Sequence, residues 1–353
     1  MIGYQPLMRT AILDIGSVSA HLKIVDLEPG EPPRQVRSVK RPTRLAGAIG
    51  RDGRLGPAAA GRIGTAVAGT LAVARDEGVQ ELIAFGTSAL RDAADRAEIV
   101  AGLAARTGVE PAFLTGVDEA RLTFLAVREW YGWSAGPLLL ADIGGGSLEI
   151  AAGDGAEPGT ALSLPLGAGR LTRERLPGDP PRSKDVDHLR RFVRDRLAEC
   201  LPRAAARPWT IFPEAGTGTG RAVATSKIFT QLAKLTRGKD EQGRRVLRHK
   251  DLRAWIPRLA GMNAAERAGL KGVSTSRSRQ ILAGAVVADA VMRHLGTPRM
   301  EICPWALREG IALRRLRQLG GQTPCHDDIS HLLQPMPEGR ARLHAVGSAG
   351  AGA

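Results

Sequence analysis

Two short stretches carry the residues best suited to handling phosphate. Asp14, Gly16, Ser17 and Ser19 lie in LDIGSVSAHLKIVD, and Asp142, Gly144, Gly145, Gly146, Ser147 and Glu149 lie in ADIGGGSLEIAAGD. Both contain D-I-G-x-x-S, with the aspartates 128 residues apart (142 − 14), and both set the glycines between apolar runs. A glycine-rich turn between strands lets successive backbone N–H groups point into one concavity that accepts an anion. The serine adds a hydroxyl donor, and Asp142 and Glu149, flanking the second turn, are placed to hold Mg2+ or orient water. One copy alone is weak evidence and reads more readily as an ordinary tight hairpin. Two copies, one opening each half of the chain, imply two nests facing each other across a cleft, able to hold two phosphates of one ligand.

The elements that must position these turns divide the same way. Strands are expected over 10–17 and 20–28, a helix near 57–77, a strand over 81–88, and a helix over 88–107 with Ser88 as N-cap and Gly108 as stop. A short strand over 111–116 and a helix over 117–132 close the first half. The second half repeats the opening with strands over 138–144, 147–154 and 160–167. It continues with a helix near 184–200, the loop FPEAGTGTG, the strand RAVATS and the helix KIFTQLAKL. A basic loop then leads to helices around 250–271 and 277–295, the strand RMEICP and a last helix near 304–319. A repeat this long means two related lobes rather than a solenoid. From about 321 the chain reads as a mobile tail.

Composition bounds the partners. The 353 residues are 43% hydrophobic, enough for two packed domains, and no apolar run approaches the roughly 20 residues of a membrane span. The start, MIGYQPLMRTAILDIG, lacks a secretion-signal pattern, so the cytoplasm is the expected location. Cys200, Cys303 and Cys325 are too far apart for a zinc motif or a disulfide framework. A formal charge of +14 points to a polyanionic partner, although arginine-rich composition alone produces the same number. Trp130, Tyr131 and Trp133 are expected to pack the passage between the halves, and His21 to fill a strand position. The basic segments 237–250 and 271–279 read as solvated faces that could also guide a polyanion.

These motifs, together with FGTSALRDA (85–93), LTGVDEARLTFLAV (114–127) and EICPWALREGIALRRL (301–316), resemble the Ppx/GppA exopolyphosphatase and guanosine pentaphosphatase family. The resemblance runs from about Thr10 to Leu319 and is nearest to the short, two-domain actinobacterial exopolyphosphatases. It implies an α/β, two-lobed actin-like (ribonuclease H-like) fold with an interlobe active-site cleft. Lobe I would span 1–127 plus the helix near 304–319, and lobe II 128–303. The family's first phosphate loop falls on Asp14, Gly16, Ser17 and Ser19, with Val18 where an asparagine is usual. The second falls on Asp142, Gly144 to Gly146, Ser147 and Glu149. The catalytic glutamate falls on Glu119, with Asp118 in place of a neighbouring acid, and Arg91 and Arg277 fall on basic positions lining the cleft. The third glycine-rich segment falls on either GTGTG (216–220) or, preferably, Thr225, Ser226 and Lys227, where Lys227 replaces a glycine.

The activity this implies is Mg2+-dependent removal of terminal orthophosphate from inorganic polyphosphate, with guanosine pentaphosphate as a second substrate and a homodimer as one option for assembly. Glu119 would orient the attacking water and accept its proton. Asp142 and Glu149 would hold Mg2+, and the loops with Arg91 and Arg277 would bind phosphate. The rival readings are an ATP-dependent kinase of the same superfamily and a non-catalytic polyphosphate or alarmone sensor. Membrane association is not expected, and nucleic-acid binding has no recognisable module.

Overall fold

The computed structural model describes residues 7–45, 48–50, 52–201, 220–321 and 328–337. Its strands are β1 (Met8–Ile15), β2 (Ser19–Leu27), β3 (Arg34–Pro42), β4 (Glu81–Gly86), β5 (Ala112–Phe113), β6 (Leu138–Ile143), β7 (Leu148–Gly153), β8 (Thr160–Leu164), β9 (Arg221–Thr225), β10 (Val246–Arg248), β11 (Arg299–Ile302) and β12 (Leu333–Pro335). Its helices are α1 (Gly56–Asp76), α2 (Ser88–Arg91), α3 (Arg96–Thr107), α4 (Gly116–Tyr131), α5 (Ala168–Arg175), α6 (Ser183–Cys200), α7 (Ser226–Leu235), α8 (His249–Ala260), α9 (Ala264–Ala268), α10 (Ile281–His294) and α11 (Leu307–Leu319).

The strands form two sheets, ordered β12-β4-β1-β2-β3, with β5 beside β4, and β10-β11-β9-β6-β7-β8. Each is built on the same unit: an antiparallel hairpin (β1–β2 or β6–β7) whose first strand pairs in parallel with a later one (β4 or β9). This is the two-lobed α/β architecture expected from the repeat. The first strands of both hairpins lie at the centre of their sheets and are buried on both faces, which explains their unbroken apolar runs AIL and LLLA.

Helices cover both faces of each sheet. One core of lobe I joins Leu13, Ile15 and Leu22 to Ile63, Val67 and Leu71 of α1. On the opposite face, Ile12, Val25 and Ile83 pack on Leu122 of α4 and Ile311 of α11, so the last helix returns to the first lobe. Helix α4 also buries Ala120, Phe124 and Val127 against Leu138, Leu140 and Val223 of the second sheet. It therefore belongs to both lobes and fixes one relative to the other. Its crossing with α11 depends on Gly310, where a Cβ would collide with the Leu122 carbonyl.

Several elements differ from expectation. The helix expected over 88–107 is two, α2 and α3, because Asp95 leaves the helical path to accept the Leu55 and Gly56 N–H groups at 2.9 and 2.8 Å. Thr87, not Ser88, is the N-cap of α2, while Gly108 ends α3 as expected, with φ 73°. Part of the expected tail is structured: residues 328–337 contain a 3-10 turn (Ser330–Leu332) and β12, whose Leu333 pairs with Ile83. The reason is apolar, since Ile329 and Leu332 are buried with Phe85 and Ile311. Trp133 does not pack the passage between lobes, being 69% exposed; Trp130, 48% exposed, meets Trp305 with ring centroids 5.5 Å apart, and Tyr131 packs partly against the core.

Candidate functional site

The two glycine turns are the same structure twice. The Gly16 N–H donates to the Ser19 carbonyl at 3.1 Å, and the Gly144 N–H donates to the Ser147 carbonyl at 2.9 Å. Each turn caps a central strand and so faces the opposite lobe. They nearly touch: a Cβ added at Gly145 would lie 2.6 Å from Ser17 Oγ, and one at Gly146 would collide with Ser88 Oγ. These glycines are needed for close approach of backbone across the cleft, with none at a positive φ.

Hairpin register places the acids. Asp142 and Glu149 are direct cross-strand partners on β6–β7, which puts both side chains on one face. In the first lobe the equivalent partners are Asp14 and His21. Glu119 comes from the first turn of α4, where Thr115 and Asp118 form a capping box (Asp118 N–H to Thr115 Oγ1, 3.1 Å). Asp118 is thus a helix cap. Asp14, Gly16, Ser17, Ser19, Glu119, Asp142, Gly144, Gly145, Ser147, Glu149, Ser226, Lys227 and Arg277 all line one cleft. Arg91 reaches it by donating to Glu119 Oε1 while also holding the Leu114 carbonyl at 2.9 Å. Thr225 donates to Asp142 Oδ2 from behind, and Gly146 lines a neighbouring hollow on the far side of the loops.

Of the alternatives for the third segment, residues 216–219 lie outside the described residues, whereas Thr225 to Lys227 form the N-terminus of α7 at the cleft. The backbone demand falls one residue earlier than expected: Ser226, not Lys227, has the left-handed conformation, with φ 73°. Its Oγ is buried in the cleft without a hydrogen-bond partner. A non-glycine residue in this region costs about 1–2 kcal/mol. Ser226→Gly is therefore expected to raise Tm by about 2–4 °C in calorimetry, and at the same time to weaken phosphate binding through loss of the hydroxyl.

Burial controls the electrostatics. It pushes the Asp14 and Asp142 carboxyls above the ordinary aspartate range, opposed at Asp14 by Arg308 and at Asp142 by the Thr225 hydrogen bond. It pushes Glu149 well above the glutamate range, helped by the nearby charges of Glu119 and Asp142. Burial also drives Glu119 up to about 7, against the charge and hydrogen bond of Arg91, which pull it down. Four carboxyl groups with raised proton affinity share one cleft, and Asp14 Oδ1 is buried without a partner. Among the described residues no group of three or more His, Cys, Asp or Glu is close enough to hold a metal ion alone. Asp142 and Glu149 lie side by side on one face of the hairpin and carry hard oxygen donors.

Cations that the motifs did not flag complete the site. Arg308, at the start of α11, donates to Asp14 Oδ2 at 2.7 Å. Lys40 on β3 also lines the cleft, and its ammonium is pushed below the usual lysine range, first by burial and then by the charge of Lys227. Arg308 lay within the ALREGIALRRL stretch, so its position was visible though its role was not. His21 fills its strand position, bonded to Ser38 Oγ at 2.7 Å and held down at about 3 by burial and neighbouring cations. Arg170 of α5 pairs with Asp92 across the lobes and donates to the Gly146 carbonyl at 3.0 Å, tying the second loop to lobe I.

The arrangement suits phosphoryl transfer. Two nests and five cations (Lys40, Arg91, Lys227, Arg277 and Arg308) suit spread negative charge, and of the four carboxyls with raised proton affinity Glu119 is the one tuned to about 7.

Comparison with known proteins identifies the family and the fold. Residues 23–319 match the model of the Ppx/GppA phosphatase family. Exopolyphosphatase 1 of Mycobacterium tuberculosis is 46% identical over 313 residues, covering 88% of this chain and 88% of that protein. Exopolyphosphatase 2 of the same organism is 31% identical over 322 residues, covering 87% and 98%. The crystal structure of an exopolyphosphatase from Cytophaga hutchinsonii shares the fold with a TM-score of 0.75 at 22% identity, over 90% of this chain and 99% of that one. The Ppx/GppA family member from Aquifex aeolicus gives 0.69 at 23% identity, over 89% and 99%.

Proposed function

The chain belongs to the Ppx/GppA phosphatase family, and from that premise we propose that it is an Mg2+-dependent exopolyphosphatase releasing terminal orthophosphate from inorganic polyphosphate. The observation that carries this reading is the position of Glu119: a buried carboxyl with a pKa of about 7, fixed by Arg91 and set in the cleft between the two glycine loops. A general base works best when its pKa lies near the operating pH.

In this reading the loop N–H groups, Ser147 and Arg277 hold the terminal phosphoryl group, with Arg308 and Lys227 beside the phosphates that follow. Glu119 orients a water in line with the terminal phosphorus and takes its proton. The water oxygen bonds to phosphorus as the bridging P–O bond breaks, and the departing phosphate oxygen keeps the electron pair. The surrounding guanidiniums and N–H groups stabilise the charge that spreads over the equatorial oxygens. The residues fit Mg2+, since the donors are all hard oxygens and Asp14 Oδ1 is unpartnered. Asp142 and Glu149 would hold the ion, substrate and water completing its shell, and it would add charge neutralisation on the phosphates.

Guanosine pentaphosphate carries the same terminal anhydride and is included as a second substrate. A cytoplasmic location and a homodimer complete the proposal. Among the described residues no helix is long and apolar enough to cross a membrane. The deciding experiment measures phosphate release from polyphosphates of defined length and from guanosine pentaphosphate, with and without Mg2+. Metal-dependent release with no added acceptor is expected. Turnover only with an acceptor would make the protein a kinase, and tight binding without turnover would make it a sensor.

A further inference from the structure

Peptide-plane geometry singles out one side chain outside the cleft. In the second glycine turn the Gly144 carbonyl accepts from the Ala168 N–H at 3.0 Å, the Gly145 carbonyl from the Arg170 N–H at 2.9 Å, and the Gly146 carbonyl from Arg170 Nε at 3.0 Å. All three carbonyls are thus held from behind by the first turn of α5. A planar trans peptide carries its N–H opposite its C=O, so fixing them turns the N–H groups of Gly145, Gly146 and Ser147 away from α5. Among the described residues none of those three N–H groups has a hydrogen-bond partner. Gly167 lets α5 lie this close, since a Cβ there would collide with the Gly146–Ser147 peptide.

The first turn is aimed by its own lobe alone. Thr43 Oγ1 donates to the Gly16 carbonyl at 2.8 Å, the Leu45 N–H to the Ser17 carbonyl at 2.6 Å, and the Thr43 and Arg44 N–H groups to the Val18 carbonyl at 3.0 and 3.2 Å. The second turn differs at one carbonyl. Arg170 divides its guanidinium between the Gly146 carbonyl and Asp92 of lobe I, and Asp92 also accepts from Arg91 Nε at 3.4 Å. Arg91 in turn holds Glu119. One chain of contacts therefore runs from the Gly146–Ser147 peptide through Arg170, Asp92 and Arg91 to Glu119.

We propose that Arg170 is a positioning residue for phosphoryl transfer, which aims the Ser147 N–H at the terminal phosphoryl group and registers it against Glu119 across the lobe boundary. The proposal rests on the phosphohydrolase reading above. Arg170 lines the hollow behind the loops and not the cleft, so it acts through the loop rather than by touching substrate. Two partners in different directions call for a planar fork, which lysine lacks. The Arg170 and Asp92 side chains are 27% and 42% exposed, so their pairing adds little to stability and its loss strands no charge in the core.

The test is steady-state phosphate release from tripolyphosphate at saturating Mg2+, with melting curves, for wild type, Arg170→Met, Arg170→Lys, Asp92→Asn and R170M/D92N. Release by the wild type checks the phosphohydrolase reading itself, and its absence would overturn that reading and this inference with it; the variants are read relative to wild type and bear on Arg170 alone. Arg170→Met is expected to lower kcat about 10- to 100-fold, approaching the worth of one oxyanion donor, with a smaller change in KM and little change in Tm. Arg170→Lys, which reaches one partner at a time, is expected to recover part of that kcat. The double variant should lose no more than Arg170→Met, because Asp92 acts through Arg170. A wild-type kcat in folded Arg170→Met, a loss confined to KM, or losses that multiply in the double variant would overturn the proposal. Should Arg170→Met not fold, Arg170→Lys decides: a lowered kcat at a wild-type Tm supports positioning, and a wild-type kcat overturns it.

Discussion

Glu119→Gln is expected to lower kcat for phosphate release by about 10²- to 10⁴-fold, the usual contribution of a positioned general base. The substitution is nearly isosteric, and the Gln carbonyl can still accept from Arg91, so geometry is kept and only proton acceptance is lost. The same change has an opposite effect on stability. In the folded protein burial raises the Glu119 pKa from 4.5 to about 7. A group raised in this way contributes stability that is fully present below its unfolded value and is lost as pH rises through its folded one. Above about pH 7 the wild type carries a buried carboxylate that the amide lacks. Glu119→Gln should therefore melt higher than wild type at pH 8, with the advantage gone by about pH 4.5. Parallel melts across that range check the sign, and a variant that loses activity together with stability at every pH would point to a structural role instead.

Glu149→Gln should raise the Mg2+ concentration for half-maximal activity by at least about 10- to 100-fold, the range seen for residues one shell further from a metal. Glu149 is pushed well above the ordinary glutamate range by burial, by Glu119 and by Asp142, against hydrogen bonds from Ser147 and Ser163, the latter at 2.9 Å. It must lose a proton before it can act as a ligand, so cation binding competes with protonation. The half-activating Mg2+ concentration of wild type should accordingly fall as pH rises above the ordinary glutamate range. In Glu149→Gln that dependence should weaken, because one of the two titrating ligands is gone and only Asp142 remains. Activity assayed against Mg2+ at several pH values separates this from a general loss of folding, which would lower the maximum and leave the pH trend intact.

The features legible in the sequence were those whose chemistry is written locally. Asp-Ile-Gly-x-x-Ser occurs twice because the same hairpin occurs twice, and matched N–H to carbonyl closures at Gly16 and Gly144 repeat it in three dimensions. Glu119 was picked out only through the family resemblance of the G-V-D-E-A-R segment, since the same residues read alone as helix-start acids, and Asp118 proves to be such a cap. What sequence left hidden comes from elements distant along the chain. Arg308 meets Asp14 across 294 residues, and nothing in an arginine-rich helix singles out the one arginine that does so. Lys40 sits on β3, an exposed strand whose charged pattern, RQVRSVKRP, lacks the alternation that announces a strand. The strain at Ser226 was placed one residue late, because sequence shows where a glycine is missing but not which residue carries the positive φ. Residues 328–337 looked like tail because their few apolar side chains show no period, yet two of them fill a gap beside β4.

The central claim is that Glu119, tuned to titrate near neutrality, is the base for hydrolysis of a terminal phosphoric anhydride. It is tested most directly by the pH profile of kcat/KM for phosphate release from tripolyphosphate at saturating Mg2+, wild type beside Glu119→Gln. The expected result is a wild-type rate that falls as pH drops through about 7, and a residual Glu119→Gln rate that is far lower and lacks that limb. A Glu119→Gln variant that keeps the wild-type rate and the wild-type limb would contradict it.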